Sequence, residues 1–389
     1  MTDFRRIIAT IVLYAGAVLI GFALVSVPSS IVHLQSTHGL TDEQYGKVFI
    51  PQLLLAIGGA LLAGPVIRKI SLKSMYAVAL ICFGASQAAL ASTADAQPAE
   101  AWLMIMVSTA LFGFGFGFGG GPLNGLIGNM YPQRSASAIT GLHLMAGIGL
   151  MLGPLYFRLF ERIGSWQSGP VYLAAFAGLL LATSLVALQT NPLIFEGHRS
   201  RSPARSRFFW LMIVLAFLYA LVEGAFSNWA VIFVSIEKAA SRDGGAVALA
   251  TFWAGLTFGR LLATLAVTRI GAMRLWMVLP ILMLTAFLVL PLLQTERALI
   301  LGYGLAGFAC SAFFPLMVTV AAKPFPEHLS WIASMLTASL MLGVGVGSYV
   351  IGVASRSVPI AHMYLYFSTI PIVAFSMMWL YLRHEVGPE

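Results

Sequence analysis

The chain has 389 residues, is 59% hydrophobic and only 9% charged, and has a mean hydropathy of +0.89. A soluble domain carries roughly 25% charged residues, so a water-facing surface is excluded over most of the length and lipid is the solvent the side chains suit. The net charge of +8 does not point to nucleic acid, because the basic residues lie in short breaks between apolar runs, the pattern of loops that flank membrane spans.

A membrane helix needs roughly 20 apolar residues. That window predicts an all-α integral membrane protein with about twelve transmembrane helices in two six-helix halves. The expected spans, numbered 1 to 12 in chain order, run over about 7–32, 45–67, 74–93, 101–130, 136–157, 168–188, 208–235, 246–268, 275–294, 298–321, 329–354 and 361–382. Span 1 follows Arg5 and Arg6 as a signal peptide would, but its apolar run exceeds the usual core of about 7–15 residues, so it reads as a retained span. Cys82 and Cys310 fall inside apolar segments without CxxC spacing, which reads as two buried thiols and not as a disulfide framework or a metal site.

The stretch "QTNPLIFEGHRSRSPARSRF" is the longest polar run and carries Arg199, Arg201, Arg205 and Arg207. It divides the chain into an N-terminal half (1–190), a linker (191–207) and a C-terminal half (208–389). Placing the N-terminus inside gives fourteen Lys and Arg to the inner segments and seven to the outer ones. This bias predicts a cytoplasmic linker and both termini cytoplasmic; a bacterial inner membrane is the expected setting.

Of the fourteen acids, thirteen lie in loops, span ends or tails. Glu223, in "YALVEGAFSNWAVIFV", lies deep in span 7. A charge at the bilayer centre costs about 2.5 kcal/mol or more, so such a residue needs a partner or a wet cavity. Burial disfavours the anion, and an acid poised in this way can carry a proton through a cycle; a structural hydrogen bond or ion pair is the competing reading. Arg260 in span 8 is the natural ionic candidate.

Tyr219 and Glu223 are four residues apart and share a helix face. Trp229 points elsewhere on an ideal helix, and a break near Gly224 or Asn228 would be needed to bring it to Glu223. Trp229 reads equally as a platform for a sugar ring or as an interfacial anchor. His143 in span 5 is a second candidate proton carrier, or a packing histidine. Gln52 in span 2 and Asn124 in span 4 suit a hydroxyl-rich ligand or interhelical hydrogen bonds. "GFGFGFGGG", Gly113–Gly121, is no phosphate loop, since no strand precedes it and no Lys–Ser/Thr follows; it reads as a close-packing helix surface. Met273 and Met277 share a face but read as core filler.

The halves echo each other. "GPVIRKISLK", Gly64–Lys73, follows span 2, and "TLAVTRIGAMR", Thr264–Arg274, follows span 8. With these loops the chain resembles the major facilitator superfamily, whose loop after helix 2 reads Gly-x-x-x-Asp-Arg-x-Gly-Arg-Arg/Lys. Gly64, Lys69 and Lys73 fit; Arg68 stands at the Asp position and Ser71 replaces the Gly. The second copy keeps Arg269, Gly271 and Arg274, with Thr268 in place of the acid. The resemblance implies a gating role for Gly64, Arg68, Lys69, Lys73, Arg269, Gly271 and Arg274.

Within that superfamily, "GFGFGFGGGPLNGLIGNMYP", "GLHLMAGIGLMLGP", "YALVEGAFSNW", "FWAGLTFGRLL" and the "FFP" of span 10 resemble the fucose–galactose–proton symporter group. That group has carboxylates in helices 1 and 4, and here neither span has one. The resemblance implies a monomeric secondary transporter, not an enzyme, that moves a small polar, sugar-like solute by alternating access with proton coupling. Glu223 and His143 would carry the proton, and Asn124, Gln52, Tyr219, Asn228 and Trp229 would meet the solute. Its partners would be solute, proton and lipid bilayer, with no cofactor and no metal. An exporter of amphipathic drugs or metabolites on the same fold is the alternative.

Overall fold

The computed structural model describes residues 3–67, 69–188, 203–325 and 329–385. Every regular element among them is helical. Twelve helical stretches are long and apolar enough to cross a membrane. In chain order, and taking over the numbers 1 to 12, they are Phe4–His38, Asp42–Val66, Leu72–Asp95, Pro98–Met130, Ser137–Arg162, Ser168–Ala187, Arg207–Glu237, Arg242–Ile270, Ala272–Leu292, Glu296–Ala321, Ile332–Ala354 and Ile360–Leu382. Helices are the form in which an apolar segment satisfies its own backbone in lipid. The outward side chains suit that solvent: Val186 is 77% exposed, Leu301 70% and Leu61 59%. The protein is an integral, multi-pass membrane protein.

The chain separates into two compact units, Met1–Glu196 and Gly197–Glu389. The first holds spans 1 to 6 and the second spans 7 to 12. Each uses the same plan of neighbours. In the first, span 1 packs on 5 and 6, span 2 on 4, and span 3 on 4 and 6; in the second, span 7 packs on 11 and 12, span 8 on 10, and span 9 on 10 and 12.

Glycine makes these pairings close. In span 4, Gly113 and Gly117 face span 2: a Cβ on either would strike the backbone carbonyl of Gln52 or Ala56. Gly115 and Gly119 face span 3, where a Cβ would meet Cys82 and Ala79. Two residues on is about 200° round a helix, so "GFGFGFGGG" makes two flat seams on opposite faces of one helix. In the second unit, Gly255 and Gly307 let spans 8 and 10 approach backbone to backbone, and Gly224, Gly343 and Gly347 do the same for spans 7 and 11.

Spans 7, 10 and 12 differ from uniform helices in ways that bear on the site. Span 7 is helical without a break from Arg207 to Ile232 and ends in one wide turn, Phe233–Glu237, closed by Lys238 N–H donating to the Phe233 carbonyl at 2.9 Å. The break near Gly224 or Asn228 that would be needed to bring Trp229 to Glu223 is absent, and Gly224 instead makes a close seam with Val344. Span 10 is instead interrupted, as Glu296–Cys310 and Phe313–Ala322. Pro315 contributes, because it has no N–H for the Ser311 carbonyl four residues before it, although prolines such as Pro122 in span 4 and Pro154 in span 5 sit inside unbroken helices. Span 12 is likewise two helices, Ile360–Phe367 and Thr369–Glu385.

Candidate functional site

The interruption in span 10 leaves carbonyls at the end of Glu296–Cys310 without helical partners. Side chains from two other spans fill the vacancy. The Tyr219 hydroxyl of span 7 donates to the Cys310 carbonyl at 2.9 Å, and Arg260 Nε of span 8 donates to the Ser311 carbonyl at 3.0 Å. The Tyr219 ring lies flat on Phe313, the first residue after the break, at 5.0 Å and 10°. Trp276 of span 9 flanks Phe313 from a second direction at 5.4 Å.

Glu223 joins this cluster. It is half-buried, and the Tyr219 hydroxyl is hydrogen-bonded to its Oε2. The spacing of four residues that puts both on one face is what permits the bond. The Arg260 guanidinium is within electrostatic reach of Glu223, Tyr219 and Cys310. A carboxyl group, a phenol and a permanent cation therefore meet at a broken helix inside the span region.

The other candidates of the second unit lie around it differently. Asn228 is buried and its Nδ2 donates to Ser348 Oγ of span 11 at 2.7 Å, an interhelical bond. Trp229 is 0% exposed. This corrects the interfacial-anchor reading, since a fully enclosed indole reaches no headgroup layer, and with span 7 unbroken the ring is not brought to the Tyr219–Glu223 face.

Gln52, Asn124 and His143 belong to the first unit. Gln52 is half-buried, and its carbonyl occupies the space opposite Gly113. Asn124 Nδ2 donates back to the Gly120 carbonyl at 2.8 Å, while its Oδ1 is buried with no partner among the described residues. His143 is exposed.

The two loops of the echoed motif turn by different means. In the first, Lys69 is exposed and no atom lies within 4 Å of a Cβ built on Gly64. Ser71 caps the next helix by accepting from Ser74 N–H at 3.1 Å, and Lys73 Nζ donates to the Leu185 carbonyl at the end of span 6 at 2.6 Å. Arg68 lies outside the described residues. In the second, Gly271 takes φ +87°, a region that side chains avoid, with Arg269 and Arg274 exposed beside it.

Residues that sequence reasoning passed over close the opposite end of the second unit. Glu237, treated as an ordinary span-end acid, accepts from the Ile360 and Ala361 N–H groups at 2.5 and 2.7 Å and so caps the start of span 12. Lys238 Nζ reaches the Pro291 carbonyl at 2.6 Å. The buried Tyr303 and Tyr364 hydroxyls meet at 2.8 Å. Only the juxtaposition of distant spans reveals these pairs. No group of three or more His, Cys, Asp or Glu that could hold a metal occurs among the described residues.

Comparison with known proteins places the chain. The family described as Major Facilitator Superfamily matches residues 8–295. The glucose/mannose transporter GlcP of Bacillus subtilis (strain 168) is 21% identical over 243 residues, a match that takes in 57% of this chain and 58% of that relative, so the chain spans less than two thirds of the relative's length. Among solved structures, a single-site mutant of the nucleoside transporter NupG superposes with a TM-score of 0.77 at 16% identity, covering 96% of this chain and 99% of that one. A bacterial homologue of the human lysosomal transporter Spinster superposes at 0.78 and 14% identity over 98% of both chains. A D-xylose–proton symporter superposes at 0.77 and 16% identity over 96% and 97%. The twelve spans, the repeated plan of neighbours and the family match agree: the chain is a membrane transporter and belongs to the major facilitator superfamily.

Proposed function

We propose that the protein is a proton-coupled secondary transporter of a small polar organic solute, sugar-like or a related metabolite such as a nucleoside, working by alternating access. The observation that carries this reading is Glu223: an acid inside span 7, hydrogen-bonded to Tyr219 and within reach of Arg260. An acid retained there at an energetic cost marks an ion or substrate pathway. The names of the relatives support the solute class: a glucose/mannose transporter, a nucleoside transporter and a xylose–proton symporter.

Glu223 is the coupling acid in this proposal, with His143 as the second proton-exchanging group. Gln52, Asn124, Tyr219, Asn228 and Trp229 are the polar and aromatic groups proposed to serve the solute. Gly64, Arg68, Lys69, Lys73, Arg269, Gly271 and Arg274 are proposed to gate the cycle from the inner face. The same proposal places both termini and the linker at 191–207 in the cytoplasm, in a bacterial inner membrane, with the protein acting as a monomer.

The test is uptake of labelled glucose, xylose and uridine into proteoliposomes under an imposed inward proton gradient. Gradient-driven accumulation of one of them, collapsed by a protonophore, is the expected result. Flux that a protonophore leaves unchanged removes the proton coupling, and failure of all three removes the solute class.

A further inference from the structure

The Tyr219 hydroxyl has two acceptors within hydrogen-bonding range, Glu223 Oε2 and the Cys310 carbonyl oxygen. A phenol has one hydrogen to donate. Both contacts are hydrogen bonds at once only if Glu223 supplies the second hydrogen, its own O–H donating to the Tyr219 oxygen while Tyr219 donates to Cys310. An ionised Glu223 accepts only, and a charge-assisted bond is roughly twice as strong as a neutral one. The phenol hydrogen then turns to the carboxylate, and the Cys310 carbonyl loses its donor and faces an oxygen lone pair.

That carbonyl is no ordinary one. It is the last of Glu296–Cys310, at the interruption ahead of Pro315. Tyr219 also touches the other side of the interruption, its ring stacked on Phe313. The neighbouring Ser311 carbonyl is held by Arg260, whose guanidinium stays charged and so provides a cap that does not switch. The titratable and charged groups facing Glu223 are Tyr219 on its own helix, Arg260 from span 8 and Cys310 from span 10. Among the described residues, no charged group of span 11 or 12 enters its electrostatic surroundings.

We propose that Tyr219 is a positioning residue that transmits the protonation state of Glu223 to the break in span 10: proton on, the Cys310 carbonyl is capped and the break is held; proton off, the cap is withdrawn and the break is free to move. This rests on the reading of Glu223 as the coupling acid and adds how its proton reaches the backbone.

Hydrogen exchange of the purified full-length protein tests it, followed by mass spectrometry in peptides covering residues 306–318 and corrected for intrinsic rates. The pH is scanned from about 5 to about 9, which covers carboxyl groups from solvent-exposed to fully buried. Parent protein is expected to lose protection at the break as pH rises, by several-fold to about tenfold, the scale of one hydrogen bond. Tyr219→Phe keeps the ring on Phe313 but has no hydrogen to give, so its break is expected to be weakly protected at every pH. Glu223→Gln donates to Tyr219 as the protonated acid does, so its break is expected to be protected at every pH. A parent with no pH response at the break, or a Tyr219→Phe protein that keeps the parent's response, overturns the relay. If Glu223→Gln is flat while Tyr219→Phe still responds, the relay alone fails and Glu223 stands as the coupling acid. If Glu223→Gln responds as the parent does, both fall.

Discussion

The two units share a plan of neighbours and differ in how their closest seams are built. In the first unit, spans 2 and 4 meet through Gly59, Gly113 and Gly117. Span 4 stays helical from Pro98 to Met130, although Pro122 sits inside it. In the second unit, spans 8 and 10 meet through Gly255 and Gly307, but span 10 breaks ahead of Pro315, and a phenol, a guanidinium and a carboxyl group gather at the break. The same backbone-to-backbone approach thus serves two ends. Where the helix is continuous it gives a close-packed surface without charge. Where the helix is broken, the Cys310 and Ser311 carbonyls take their donors from Tyr219 and Arg260.

The seams themselves are the most sensitive point of this contrast. Gly117→Val in the first unit and Gly307→Val in the second each drive a side chain into a backbone carbonyl, of Ala56 and Phe252 respectively. Overpacking costs about 1–3 kcal/mol where neighbours can shift, and a backbone shifts least, so both variants should yield little folded protein by fluorescence-detected size exclusion. Gly120→Ala, where no atom lies within 4 Å of the new Cβ, should keep or raise the melting temperature by up to about 1 kcal/mol of helix propensity. Equal behaviour of the three variants would break the seam account.

Pro315→Ala comes next, since it aims at the difference between the units. It restores an N–H opposite the Ser311 carbonyl, making span 10 more like span 4. The restored N–H favours a continuous helix, so the variant should melt higher and transport more slowly in proteoliposomes. Faster transport, or no change in either property, would show that the break is incidental.

The smallest effect concerns the far end of the second unit. Glu237→Gln removes the anion that caps span 12 at Ile360 and Ala361. A helix-capping interaction is worth about 0.5–2 kcal/mol. A modest fall in melting temperature with coupling intact separates this structural acid from Glu223.

Much of the fold was legible in the sequence, because membrane helices announce themselves by length and hydropathy. All twelve spans fall where the apolar runs lie, and the limits shift by a few residues because helices continue past the apolar core: span 1 begins at Phe4 and runs on to His38. Glu223 was visible for the same reason, as a single charge in an apolar run. The break in span 10 was not foreseen. Gly224 and Asn228 looked like weak points by composition, yet Gly224 is held by Val344 and Asn228 by Ser348. The informative residue was Pro315, in a motif noted only for its likeness to a sugar symporter group. It marks the Ser311 carbonyl that loses its donor, but not the Arg260 that replaces it, nor the Tyr219 that caps the neighbouring Cys310 carbonyl. Those partners lie 51 and 91 residues away along the chain, and no local pattern encodes such a distance.

The central claim, that the second unit carries the coupling chemistry at Glu223, is tested most directly by gradient-driven uptake in proteoliposomes, comparing parent protein with Glu223→Gln. The account predicts that the variant still exchanges solute across the membrane but no longer accumulates it against a gradient when the external pH is lowered. Accumulation by Glu223→Gln at the parental level and with the parental pH dependence would contradict it.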